Sequence, residues 1–107
     1  MVYRVEFTPK AKRDLDELYR WIAETAQYRG GLWFERFEAT ILSLATFPER
    51  CPAVPHLSKG NDIVRQLVFG RKRSRYLVYY AVFGDVVRIL HVRHGARRST
   101  RRNDLFE

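Results

Sequence analysis

The sequence predicts an α+β domain: an N-terminal strand, an antiparallel helical hairpin, then a three-stranded antiparallel meander, with the helices packed on one face of the sheet. Three observations carry this expectation. The apolar period along the chain is first two, then between three and four, then two again. A proline-rich stretch divides the helical part from the later strands. An apolar content of 46%, with 14% aromatic, is enough to fill one modest core in 107 residues, so residues 1–107 are read as a single domain that closes with a basic tail over 94–107.

Each element has its own signal. Tyr3, Val5 and Phe7 alternate with Arg4 and Glu6, which suits a short strand with one buried face. Thr8-Pro9 then supplies an N-cap and a proline at the first helical position. Ala11, Leu15, Leu18, Tyr19, Ile22 and Ala26 recur at helical spacing, giving an amphipathic helix that ends near Gln27. Gly30-Gly31 is read as the break between the helices, and Phe34, Phe37, Ile41, Leu44 and Ala45 mark one side of a second helix that runs toward Pro48. From Pro48 to Gly60 the chain is rich in turn residues and has no period, so it is expected to be a surface connection. IVRQLVF (63–69), YLVYYAVF (76–83) and VVRILHV (86–92) are strands rich in β-branched and aromatic residues, and Gly84-Asp85 is a two-residue hairpin turn.

If the hairpin covers one sheet face, the opposite face is left for function. Strict alternation along the last strand puts Arg88, Leu90, Val92 and His94 on one side and Ile89, His91 and Arg93 on the other.

Charge narrows the class of partner. Residues 1–62 hold nine Lys/Arg and nine Asp/Glu, whereas residues 63–107 hold eleven Lys/Arg and three acids, which is the whole formal net charge of +8. Such clustering suits a polyanionic partner, either a nucleic acid or an acidic protein segment. Three histidines and one cysteine at wide spacing form no metal-ligand pattern, and no phosphate-binding glycine loop is present, so no cofactor is implied. Cys51 has no disulfide partner in the chain, no apolar run is long enough to span a membrane, and the N-terminus lacks the regions of a signal peptide. A cytoplasmic protein is expected.

The opening YRVEFTPKAKRDLDELYRWIA, the LATFPERCP junction, the IVRQLVF strand and above all YLVYYAVFGDVVRILHVRHGARR resemble the RelE/ParE superfamily of toxins from type II toxin-antitoxin modules, over residues 2 to about 98. The resemblance implies a small basic bacterial toxin held inactive by a cognate antitoxin, which wraps an extended and often acidic segment around the sheet and helices. It also implies one of two targets. ParE-like members inhibit DNA gyrase, whereas RelE-like members enter the ribosomal A site and cleave mRNA. A degenerate member would retain antitoxin binding alone.

For RNA cleavage without a metal, a 2′-hydroxyl must be deprotonated, the phosphorane stabilised and the leaving oxygen protonated. The residues that match this branch are Arg65, Arg75 and His94. The arginine expected in a run like Arg-Leu-Val-Tyr is absent, because that stretch reads Tyr76-Leu77-Val78-Tyr79, and Arg75 lies two residues before Leu77 with the same strand parity. The HGAR run instead resembles ParE-side sequences. On that branch Arg88, Arg93, Arg97, Arg98, Arg101 and Arg102 form a contact surface for the target or a nucleic acid. Each candidate also has a structural alternative: an ion pair to an acid for Arg65, a strand cap for His94, sheet packing for Tyr76, Tyr79 and Tyr80, and a core or antitoxin-facing position for Trp21 and Trp33.

Overall fold

The computed structural model describes residues 2–25, 27–95 and 101–105. The elements are β1 (Arg4–Phe7), α1 (Pro9–Thr25), α2 (Gln27–Leu42), β2 (Val64–Phe69), β3 (Tyr76–Phe83) and β4 (Val86–His94). They build the expected α+β architecture, with one sheet in the order β1-β4-β3-β2. β2, β3 and β4 form the antiparallel meander, and β1 completes the sheet by pairing parallel to the first half of β4.

Local signals act where the sequence places them. The Ala11 amide donates to Thr8 Oγ1 at 3.1 Å, which caps α1, and the same hydroxyl donates to the Leu90 carbonyl at 3.3 Å, which ties the cap to β4. Ala11, Leu18 and Ile22 are the buried stripe of α1. Gly84, at φ 60°, opens the two-residue turn between β3 and β4, as a type II′ hairpin requires. Ala26, the last expected position of the α1 stripe, lies outside the described residues.

The helical hairpin departs from expectation at both ends of α2. Gly30-Gly31 does not separate the helices but lies inside α2, which starts at Gln27. Two glycines weaken a helix by about 1 kcal/mol each, and burying Phe34 and Phe37 outweighs that cost. At its other end α2 stops at Leu42, and a 3₁₀ turn over Ser43–Ala45 continues the chain. Arg50 holds this end in place: Nη1 donates to the Ser43 and Thr46 carbonyls at 3.1 and 2.7 Å, and Nη2 to Ser43 Oγ at 2.6 Å.

The larger correction concerns the sheet's second face. The segment from Pro48 to Gly60 is not merely a surface connection. Its Val54 amide donates to the Val64 carbonyl at 2.8 Å, and Pro52 accepts from the Gln66 amide at 3.0 Å, so it covers part of the β2 edge. Leu57 in this segment is fully buried. There are thus two cores. One lies under the helices and includes Phe37, Ile41, Leu44, Val78, Tyr80, Val87 and Ile89. The other, on the face expected to be open, joins Leu57, Val64, Leu77, Tyr79, Ala81, Leu90 and Leu105. Leu105, from the basic tail, is only 2% exposed.

Strict alternation along β4 also fails. Tyr80 is opposite Ile89, while Tyr79 is opposite His91, so Leu90 is an extra residue in a β-bulge. Ile89 and Val92, which alternation puts on opposite faces, both belong to the helix-side core, and Leu90 belongs to the other. Arg93, paired with Leu77, consequently shares the second face with Leu90.

Candidate partner-binding surface

The structure does not bring the three nuclease candidates together. On β2, Arg65 is in register with Tyr80, and its Nη1 donates to the Glu49 and Cys51 carbonyls at 3.2 and 2.8 Å. Tyr80 reaches the same loop, donating its hydroxyl to the Pro48 carbonyl. Burial holds the Tyr80 phenol well above its ordinary pKa, so it remains a donor. Arg65 therefore has a structural task, with backbone carbonyls rather than the expected acid as its partners.

Arg75 and His94 lie at the far end of β3. Tyr76 pairs with His94 in register, four residues along β3 from the Arg65 position and so about 13 Å away. The Gly95 amide donates to the Arg75 carbonyl at 2.9 Å. A Cβ on Gly95 would meet Arg75 Cγ at 2.6 Å and Nε at 2.9 Å, so only glycine leaves room for the arginine stem here. The His94 ring meets the Tyr76 ring edge-on at 5.0 Å, and Tyr76 in turn packs against Trp33 and Phe37. His94 thus ends an aromatic cluster that reaches α2.

The contact-surface candidates fall into distinct settings. Arg88 lies over the Phe83 ring at 5.2 Å and 4.0 Å from Glu6. Nε and Nη2 of Arg93 donate to the Tyr79 hydroxyl at 3.3 and 3.1 Å, and its Nη1 to the His94 carbonyl at 3.2 Å. These two arginines brace the sheet. In the tail, the Arg101 amide donates to Asp104 Oδ2 at 2.9 Å, and Arg102 lies 3.8 Å from Asp62. That turn positions Leu105 in the second core. Arg97 and Arg98 lie outside the described residues.

One polar constellation escaped the sequence reading. β1 ends at Phe7, so among the described residues no strand lies beside the β4 edge beyond Ile89. Asp14 of α1 takes over: its Oδ2 accepts from the Val92 amide at 3.0 Å and lies 2.7 Å from His91 Nδ1, with Lys10 4.0 Å from the other oxygen. Only the i,i+4 spacing of Lys10 and Asp14 was visible in the sequence. Near the start of this helix, a groove of about 400 Å³ is lined by Thr8, Pro9, Lys10, Phe83, Arg88, Leu90 and Leu105. Among the described residues no cluster of His, Cys, Asp and Glu could hold a metal ion, and no helix is long and apolar enough to cross a membrane.

The fold has solved counterparts. The chain superposes on the chromosomal ParDE toxin-antitoxin system from P. aeruginosa with a TM-score of 0.67 at 19% identity, covering 87% of this chain and 96% of that one. It superposes on a free arginine double mutant of the E. coli toxin RelE with a TM-score of 0.57 at 16% identity, covering 90% and 86%. At such identities the likeness establishes the fold, which is the RelE/ParE-like one. No sequence among the curated proteins matches. The sequence profile described as "ParE toxin of type II toxin-antitoxin system, parDE" matches residues 5–99. That match spans nearly the whole chain and includes both helices and, but for Arg4, all four strands, so the chain belongs to the family of ParE toxins of type II toxin-antitoxin systems.

Proposed function

We propose that the chain is a cytoplasmic growth-inhibiting toxin that binds DNA gyrase directly and is held inactive by a cognate antitoxin encoded beside it. The observation that supports binding over RNA cleavage is the position of Arg65. Its donors are committed to loop carbonyls, and its register position lies about 13 Å along the sheet from that of His94. A phosphorane needs its stabilising cation and its acid and base around one phosphorus atom. Arg101, with Arg97 and Arg98 beyond the described residues, is then the part of the basic end available for the target, while Arg88, Arg93 and Arg102 chiefly support the fold. The antitoxin supplies an acidic segment to the same cationic half of the chain.

Ribosome-dependent mRNA cleavage is the second reading, and the adjacency of Arg75 and His94 through Gly95 favours it. One pair of assays separates the two. The purified chain is expected to inhibit gyrase supercoiling and to leave mRNA on programmed ribosomes intact. Combined alanine replacement of Arg97, Arg98 and Arg101 is expected to lower toxicity more than Arg75→Ala or His94→Ala, with folding of each variant verified by circular dichroism. Cleavage of ribosome-bound mRNA that either single substitution abolishes would overturn the gyrase reading.

A further inference from the structure

We infer that the β2–β3 loop, residues 70–75, is a binding site for the phosphate backbone of duplex DNA, separate from the C-terminal tail. The inference stands whichever target the toxin has.

The observation is how the cations of the second half are used. Arg65 is spent on loop carbonyls, Arg88 on Glu6 and Phe83, Arg93 on Tyr79 and Arg102 on Asp62. The side chains of Arg71, Lys72 and Arg75 form no ion pair or hydrogen bond among the described residues. All three are exposed, and Arg73 adds a further positive residue to the same loop. No acid lies between Asp62 and Asp85, and Asp85 sits in the β3–β4 turn at the opposite end of β3. Among the described residues no carboxylate pairs with the loop.

Its backbone is held in a defined shape. Gly70 has φ 93°, where a Cβ would meet the Ser74 carbonyl at 2.9 Å. Lys72 has φ 50°, a left-handed conformation that non-glycine residues rarely adopt. Ser74 fastens the turn, its amide and Oγ both donating to the Arg71 carbonyl at 3.0 Å. Arg75 lies along Gly95. A strained but ordered turn that presents unpaired cations is preorganised for phosphates, which need charge and position but no base contact.

The chemistry favours a duplex over a single strand. Single-strand binders add aromatic faces on which unstacked bases lie. The aromatic rings next to this loop are half-buried and engaged with one another: Phe69 and Tyr76 pack against Trp33 and Phe37, and His94 against Tyr76. An acidic protein partner would need an apolar centre to exclude water. The loop, GRKRSR, has no apolar side chain.

The test is the salt dependence of binding to a duplex of about 20 base pairs, measured by fluorescence anisotropy. The wild-type chain is expected to bind, and Arg71→Ala/Lys72→Asn/Arg75→Ala to lower the slope of log K against log salt by about 2 to 3, given roughly 0.9 per phosphate neutralised. Asparagine is chosen at position 72 because it tolerates the left-handed backbone. Arg71→Ala and Arg75→Ala singly should each remove about one from the slope, which keeps the test decisive if the triple variant melts early. Arg101→Ala serves as the tail control and should change it less than either. Absence of duplex binding at low salt, or a slope untouched by the loop variants, overturns the inference. So does tighter binding to single-stranded RNA or to a poly-glutamate peptide than to the duplex.

Discussion

Replacing Leu105 by alanine tests whether the C-terminal tail is part of the fold. Leu105 is 2% exposed and packs in a cluster with Leu57, Val64, Leu77, Tyr79, Ala81 and Leu90. The substitution removes three carbons' worth of buried surface, about 2.4 kcal/mol at roughly 0.8 kcal/mol per methylene. A cavity term normally brings a buried leucine to about 2–5 kcal/mol. Here Leu105 also lines the groove beside Arg88, so the space left behind opens to solvent instead of forming a sealed void. The low end, about 2–3 kcal/mol, is therefore expected. Because the tail can undock while the sheet stays intact, the measured loss is capped by the free energy of docking. For a domain of this size that corresponds to a melting temperature lower by roughly 10 °C, followed by circular dichroism. Trypsin supplies an independent readout, since undocking exposes the bonds after Arg101 and Arg102. A melting temperature within about 1 °C of wild type, together with unchanged cleavage after these arginines, would refute the docking argument.

Thr8→Ala removes the α1 cap and its bond to Leu90, and should cost about 1–2 kcal/mol in urea denaturation, whereas Thr8→Ser should cost less than half of that. Asp14→Ala leaves the Val92 amide and His91 without their acceptor, a loss of about 1–3 kcal/mol, with faster hydrogen exchange at Val92 as the site-specific check. Tyr80→Phe leaves the Pro48 carbonyl unpaired and should cost about 1–2 kcal/mol. Tyr80 also sets an alkaline limit. Its phenol pKa is raised on folding above the ordinary 10.0, so its contribution is complete below pH 10 and declines at higher pH, where the unfolded chain releases the proton first. The melting temperature of wild type should fall more steeply above pH 10 than that of Tyr80→Phe.

What was legible in the sequence is what neighbouring residues decide between themselves. The Thr8-Pro9 cap, the Ala11, Leu18 and Ile22 stripe and the Gly84-Asp85 turn each act over a few residues, and each lies where it was read. The second core was hidden for the opposite reason. Leu57 and Leu105 come from segments without a period, and only the closed sheet brings them together. The same holds for the bulge at Leu90, which depends on the register chosen by β3, and hence for the face that Arg93 occupies. Counting charges located the cationic half but not its free members. Arg65 and Arg93 are satisfied by a carbonyl and a phenol, acceptors that carry no formal charge and so leave no trace in a tally of acids and bases. Gly30-Gly31 misled because the cost of glycine in a helix is small beside the packing of the phenylalanines that follow.

The parallel pairing of β1 with β4 also dictates a timetable. Thr8, next to the end of β1, meets Leu90 across 82 residues of sequence, so the first strand to be synthesised waits for the last before it can join the sheet. At about 5–20 residues per second, roughly 3–14 s pass between completion of α1 and emergence of β4. Throughout that interval Ala11, Leu18 and Ile22 have no sheet to rest on. Closure of so long a loop then makes the final step slow relative to formation of the helical hairpin. Each newly made chain is thus an open hairpin before it is a closed toxin, and a chaperone or a partner present during synthesis meets the apolar face of α1 that the finished molecule conceals.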